Sequence, residues 1–344
     1  MSNSFSRRVP IEAQKVDAPL TSSATFLVVT VAEGADAADT VRDVISGIDD
    51  ITKNVGFRDL DAQLSCTVGI GSRVWPRLTS RPAPVGLHPF TEFAGAKHTA
   101  RSTPGDLLFH IRANRHDLAF EFERQLLDAF GGAVTVVDET TGFRYFDVRD
   151  LLGFVDGTAN PVGNAVAEST LVGDEDHDNA GGSYVVVQKY LHDLDQWQAL
   201  TTEQQESIIG RKKADNVELD DADTGQKSHK TLSTIVVDGV EHDILRDNMP
   251  FGSPGTSLFG TYFIGYSRHL WVTEKMLERM FVGDPPGLYD RILDFSEAVL
   301  GCTFFAPSAD FLGGLADDPT PAPPTGPMSL DDYLGVGDAG SSPS

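Results

Sequence analysis

The chain has 344 residues, 51 acidic against 27 basic, and a formal net charge of −24. Phosphate-rich partners need clustered Lys and Arg, so this balance argues against nucleic acid and anionic membranes. A hydrophobic fraction of 40% suffices for a sizeable core, and no run of about 18 apolar residues suggests a membrane span.

The polar stretch 1–20 reads as an N-terminal arm. Arg7-Arg8 is followed by Val9-Pro10-Ile11-Glu12, which is no apolar signal region, so no export signal is expected. Residues 25–31 form a β-branched apolar run, the pattern of a buried strand. Val41, Val44, Ile45, Ile48 and Ile51 recur at near-helical spacing and predict a helix over 39–54. Strands are expected over 63–70 and 106–112. A helix over 116–130 carries Leu118, Phe122, Leu126 and Phe130 on one face, and a strand over 133–138 follows. The order β-α-β-β-α-β is the ferredoxin-like motif.

The second half repeats the order. A strand over 184–190 leads into a helical stretch over 194–209, with Thr201 or Thr202 as an internal cap. After the charged segment 211–227, strands are expected near 232–237, 243–248 and 258–266. A helix over 273–281 capped by Thr273, a continued helical region over 289–300 and a strand over 302–306 complete the half. The fold class is therefore α+β: two ferredoxin-like βαββαβ halves with antiparallel sheets, spanning 21–150 and 151–315. Cys66 and Cys302 sit in apolar strand-like runs and read as two reduced, buried thiols, which fits a reducing, cytoplasmic compartment.

Beyond residue 315 the composition shifts. Five prolines fall within 319–327, and no Lys or Arg occurs. Residues 316–344 read as a disordered tail. Its apolar island Met328-Ser329-Leu330-Asp331-Asp332-Tyr333-Leu334-Gly335-Val336 reads either as a docking peptide or as inert tail.

Three segments carry candidate chemistry. Gly153-Phe154-Val155-Asp156-Gly157-Thr158 joins the halves. Its glycines are turn chemistry, but one acid among apolar residues is a candidate for a desolvated carboxyl. In Ile244-Leu245-Arg246-Asp247-Asn248-Met249-Pro250-Phe251-Gly252, Arg246 and Asn248 lie two apart and share a strand face. That pattern suits either a solvated edge strand or a polar group in an apolar pocket. Lys227-Ser228-His229-Lys230 holds a histidine that alone does not stand out.

Together, in this order, the segments resemble the dye-decolourising peroxidase family, its bacterial B-type branch in particular. Gly153-Phe154-Val155-Asp156-Gly157 matches the family's GxxDG motif, and the likeness covers roughly 20–315. The resemblance implies one haem b per chain, held in the second half, and oxidation of dyes, phenolic compounds or other reductants by hydrogen peroxide through a high-valent ferryl intermediate. It makes His229 the iron ligand and Asp290 its carboxylate partner, with Asp294 as the rival. Asp156, Arg246 and Asn248 become the catalytic group that works on peroxide. Phe251, Leu258 and Phe263 are expected to line the haem, or to be plain core. Arg211 either pairs with a propionate or is a solvated helix-end cation. Bulky dyes do not fit a pocket built for peroxide, so surface aromatics, Trp197 or Trp271, are candidates to pass electrons. The resemblance also implies a homo-oligomer, and the 330–336 island loosely resembles the peptide that sends such enzymes into encapsulin shells. It departs from that peptide in having no basic residue and in continuing into Asp338. The competing reading is a haem-handling or iron-releasing protein with incidental peroxidase activity.

Overall fold

The computed structural model describes residues 11–221 and 225–318. The tail peptide and the first ten residues of the arm lie outside them.

The first half contains β1 (Ser23–Val31), α1 (Ala35–Ser46), α2 (Ile48–Gly56), β2 (Ser65–Ile70), β3 (Leu107–Ala113), α3 (His116–Phe130) and β4 (Val134–Phe143). The helix expected over 39–54 is two helices, because Gly47 leaves the helical basin at φ −92°, ψ 11° and turns the chain. The second half contains β5 (Ser183–His192), α4 (Leu194–Gln198), α5 (Thr202–Ile209), α6 (His229–Leu232), β6 (Leu245–Arg246), β7 (Met249–Ser253), β8 (Leu258–Ser267), α7 (Leu270–Phe281) and β9 (Ser296–Ala306). Thr201 caps α5 with a reciprocal capping box to Gln204.

Three local expectations are corrected. The helix α7 starts at Leu270 with His269 as its cap, and Thr273 lies buried inside it. The region 289–300 is not helical: a single turn, Arg291–Asp294, precedes β9. A bulge between Ala298 and Leu300 shifts the register of β9, so that Ala298 packs in the helix-side core and Leu300 in the inner one. Leu232 closes the short helix α6, and the strand expected there is a hairpin of Ile235–Val237 with Val240–His242.

Among the described residues, nine strands form one antiparallel sheet in the order β6-β8-β5-β9-β2-β3-β1-β4, with β7 also on β8. Each half has its strands in the same relative order, and the halves meet where Phe305 of β9 pairs with Ile70 of β2. The sheet folds back on itself. Alternate residues of β1 serve two cores. Leu27, Val29 and Val31 pack on the helices, and Phe26 and Val28 face inward against residues of the second half. Phe26 stacks on Tyr262 with ring centroids 4.1 Å apart. The described part of the arm is fastened to this body: Gln14 donates to Val68 and Pro307 carbonyls and accepts from the Val68 amide.

Candidate active site

A cavity of about 1010 Å³, its open mouth included, lies between the outer face of the second half's sheet and the helices. Phe263 and Thr261 of β8, Gln188, Tyr190 and His192 of β5, and Thr273, Met276, Leu277 and Met280 of α7 line it. The chain 150–156, Ile209 and His229 close it. Its wall is mostly apolar with a few convergent polar groups, the character of a cofactor site.

His229 is the first residue of α6. Its Nδ1 lies 2.6 Å from Oδ2 of Asp290, which is wholly buried and whose Oδ1 accepts from the Ile292 amide. Burial works against a charged His229, but the Asp290 carboxylate outweighs it and raises the pKa above the ordinary value. With Nδ1 engaged, Nε2 is the nitrogen left for a ligand. Asp294 is elsewhere: it gathers Lys97, His98, Tyr289 and Arg291, which hold its carboxyl far down despite partial burial.

Asp156, Arg246 and Asn248 line the same cavity. Gly153 at φ +93° and Gly157 at φ +79° let the chain turn on both sides of Asp156. Asp156 Oδ1 accepts from the Gly157 amide at 2.7 Å and from Asn248 Nδ2 at 3.4 Å. Asn248 Oδ1 accepts from the Ile264 amide at 3.2 Å. The Arg246 backbone is gripped by Asn160, which donates to its carbonyl at 2.7 Å and accepts from its amide at 2.9 Å. Burial lowers the pKa of the Arg246 guanidinium, opposed by Asp156.

Of the expected haem neighbours, Phe263 lines the cavity, whereas Phe251 and Leu258 do not. Phe251 pairs with Gly260 and faces the inner core with Tyr262 and Ile264, while Leu258 is 40% exposed at the strand start. Strand alternation puts 261 and 263 on the cavity side and the even positions of β8 on the other. Arg211 sits at the outer mouth, bound to Glu218 at 2.5 Å and to the Asn216 carbonyl. Trp197 is 1% exposed, in edge-to-face contact with Phe154 and Phe295 and donating to the Leu152 carbonyl. Trp271 is 41% exposed between His242 and His269.

Sequence reasoning missed three wall residues. Asp150 accepts from the Phe154 amide, and burial pushes its carboxyl up to about 7. His192 bridges Ser296 and Thr261, and burial takes its pKa down to about 4. Gln188 is buried with its Nε2 lacking a partner among the described residues. Nothing local in the sequence marks them; only the strand parity shared by 188, 190 and 192 links the last two. A flat, largely apolar macrocycle with iron at its centre fits this chamber. Nε2 of His229 has no hydrogen-bond partner among the described residues, the walls are apolar and polar groups cluster on one part of them.

The Dyp-type peroxidase N-terminal and C-terminal family models match residues 13–144 and 147–311. A dye-decolorizing peroxidase of Mycolicibacterium paratuberculosis is 52% identical over 329 residues, covering 95% of this chain and 92% of the relative. An Arg-to-Leu variant of Rhodococcus jostii DypB in complex with heme superposes with a TM-score of 0.85 at 57% identity, covering 88% and 97% of the two chains. The encapsulated DyP-type peroxidase from Mycobacterium smegmatis gives a TM-score of 0.86 at 53% identity, covering 90% and 99%. These likenesses do not favour the haem-handling alternative. The chain belongs to the dye-decolourising peroxidase family and is a haem peroxidase.

Proposed function

We propose that His229 ligates the haem iron through Nε2, backed by Asp290, and that Asp156, Arg246 and Asn248 handle hydrogen peroxide. The supporting observation is the convergence of these three polar side chains and His229 on one apolar cavity. Bound haem supplies the redox chemistry, taking two electrons to peroxide and recovering them from reductant. The protein's part is proton handling and orientation. Among the described residues, both hydrogen bonds to the Asp156 carboxylate end on Oδ1, so Oδ2 is left to take a proton from one peroxide oxygen and return it to the other. Arg246, desolvated and without a carboxylate in ion-pair contact among the described residues, stabilises negative charge on the departing oxygen. Asn248 orients peroxide while holding Asp156.

Dyes, phenolic compounds and similar reductants are the electron donors of this reading. The exposed Trp271 is the better placed of the two tryptophans to meet a bulky one. The neighbour from Mycobacterium smegmatis is encapsulated. By that likeness the 330–336 island, outside the described residues, is the peptide that loads this chain into an encapsulin shell. Equal loading with and without 316–344 would sink that idea. A homo-oligomer and a cytoplasmic location complete the reading, the first tested by light scattering. The central test is His229→Ala: it is expected to lose haem and the Soret band, and a variant with full haem content and the parent spectrum would overturn the ligand assignment.

A further inference from the structure

We infer that Asp247 is a positioning residue, which ties the peroxide-handling pair Arg246 and Asn248 to Arg112, beside His110, in the first half of the molecule. The inference rests on the roles proposed above for Arg246 and Asn248.

Asp247 lies between those residues in the chain, yet its side chain faces the opposite way. Arg246 and Asn248 line the cavity, while Asp247 is 3% exposed inside the folded sheet. There its Oδ2 meets Nη1 of Arg112 at 3.3 Å and lies 3.7 Å from Nε2 of His110. Both partners belong to β3, far away in sequence and in the other half. Arg112 is itself clamped, donating to the Lys15 carbonyl and to Thr67 Oγ1. His110 is fixed through Nδ1 to the Tyr266 hydroxyl at 2.8 Å and by stacking on Phe26.

The chain needs such a fastening here. Strand β6 ends at Arg246 and β7 begins at Met249, so residues 247 and 248 fall in a gap between regular pairings. Across the gap the backbone keeps the Asp247 amide on the Ile264 carbonyl at 3.2 Å, and the Asn248 side chain takes the Ile264 amide. A buried ion pair is a poor route to stability, since apolar residues of similar volume do as well or better. A fully buried Arg–Asp pair joining two halves at the residue between two cavity side chains is better explained by geometry. Burial also keeps His110 neutral, with the Arg112 charge adding to the effect, so His110 acts as a shaped dipole beside Asp247.

The test uses the haem-loaded protein with Arg112→Gln and the isosteric Asp247→Asn, neither of which replaces a cavity side chain. Cyanide affinity reads the donors around a bound anion, and amide hydrogen exchange reads the segment directly. Cyanide affinity is expected to fall on the order of tenfold in Arg112→Gln, and exchange at 246–249 and Ile264 to quicken by a similar factor. Arg112→Lys is expected to restore part of both. Folded, haem-loaded variants with cyanide affinity and local exchange matching the parent would overturn the proposal, even if their melting temperatures fell. In the unmodified protein, the Asp247 and Ile264 amides are expected to exchange as slowly as those of the core strands. Exchange at exposed-loop rates would overturn the proposal without any variant. Neither readout needs peroxide turnover. A parent that binds haem but ignores peroxide would refute the roles of Arg246 and Asn248 and leave the fastening to be judged on exchange alone.

Discussion

Asp290 and His229 form a contact whose removal is cleanly readable. Asp290→Asn keeps the shape and removes the charge from a carboxylate 2.6 Å from the imidazole. Orienting partners of metal-bound histidines typically matter by about 10–100-fold, so haem loss is expected to quicken by that order. Transfer of haem to an apoglobin acceptor, followed at the Soret band, measures it. Asp150 offers a pH test. Its carboxyl titrates at about 7 in the folded protein against an ordinary value of 3.8, burial being the main cause. Between those values the unfolded chain has released a proton that the folded chain still holds. Stability is therefore lost as pH rises through this window. Asp150→Asn removes the effect, so its melting temperature in haem-free protein is expected to exceed the parent's by more at pH 8 than at pH 4.5. An equal difference at both would refute it. At this scale the sequence was readable in unequal measure. Alternation put Arg246 and Asn248 on one strand face, and Asp156 stood out as one acid among apolar residues, but only the family resemblance joined the three into a candidate group. For Phe251 the sequence could not choose between haem wall and core, because the hairpin register that turns it inward is set by pairing with Gly260, which no local pattern encodes. Asp150 stayed hidden because its burial comes from elements distant in sequence.

Among the elements, the loop around Asp156 is constrained at its glycines. Gly153 has φ +93°, and a Cβ there would come within 2.5 Å of the Lys213 side chain. Gly153→Val combines a disfavoured backbone with a contact the Lys213 chain must yield to. Its expected cost is about 1–2 kcal/mol or more of stability, with slower peroxide reaction from a displaced Asp156. Gly163 has φ +61° with open space around its Cβ position, so Gly163→Val is strained without crowding and serves as the control. Calorimetry and stopped-flow mixing with peroxide distinguish strain from displacement. A Gly153→Val variant that reacts as fast as the control would refute the positional claim. Long amphipathic elements such as α3 were readable because one period ran through them. The end of the second half was not, because the bulge in β9 shifts its inward residues by one.

At the level of the molecule, the repeated βαββαβ order was visible as pattern, but the joining of the halves was not. One residue pair, Ile70 with Phe305, carries the sheet across, and a single pairing leaves no composition or periodicity to read. Charge is the other whole-molecule property, and it was fully legible. With a formal charge of −24, the protein carries a negative field that attracts cationic reductants and repels anionic ones. Screening length falls from about 30 Å at 0.01 M salt to about 8 Å at 0.15 M, so the effect belongs to encounter and not to the buried chemistry. For a cationic dye, kcat/KM is expected to fall as salt rises over this range. For an anionic dye of similar size it is expected to rise, and the rate with peroxide, which is neutral, should stay flat. Parallel salt curves for all three would show that reductants are oxidised where the global field does not reach. That outcome would also count against an exposed residue such as Trp271 as the point of electron entry.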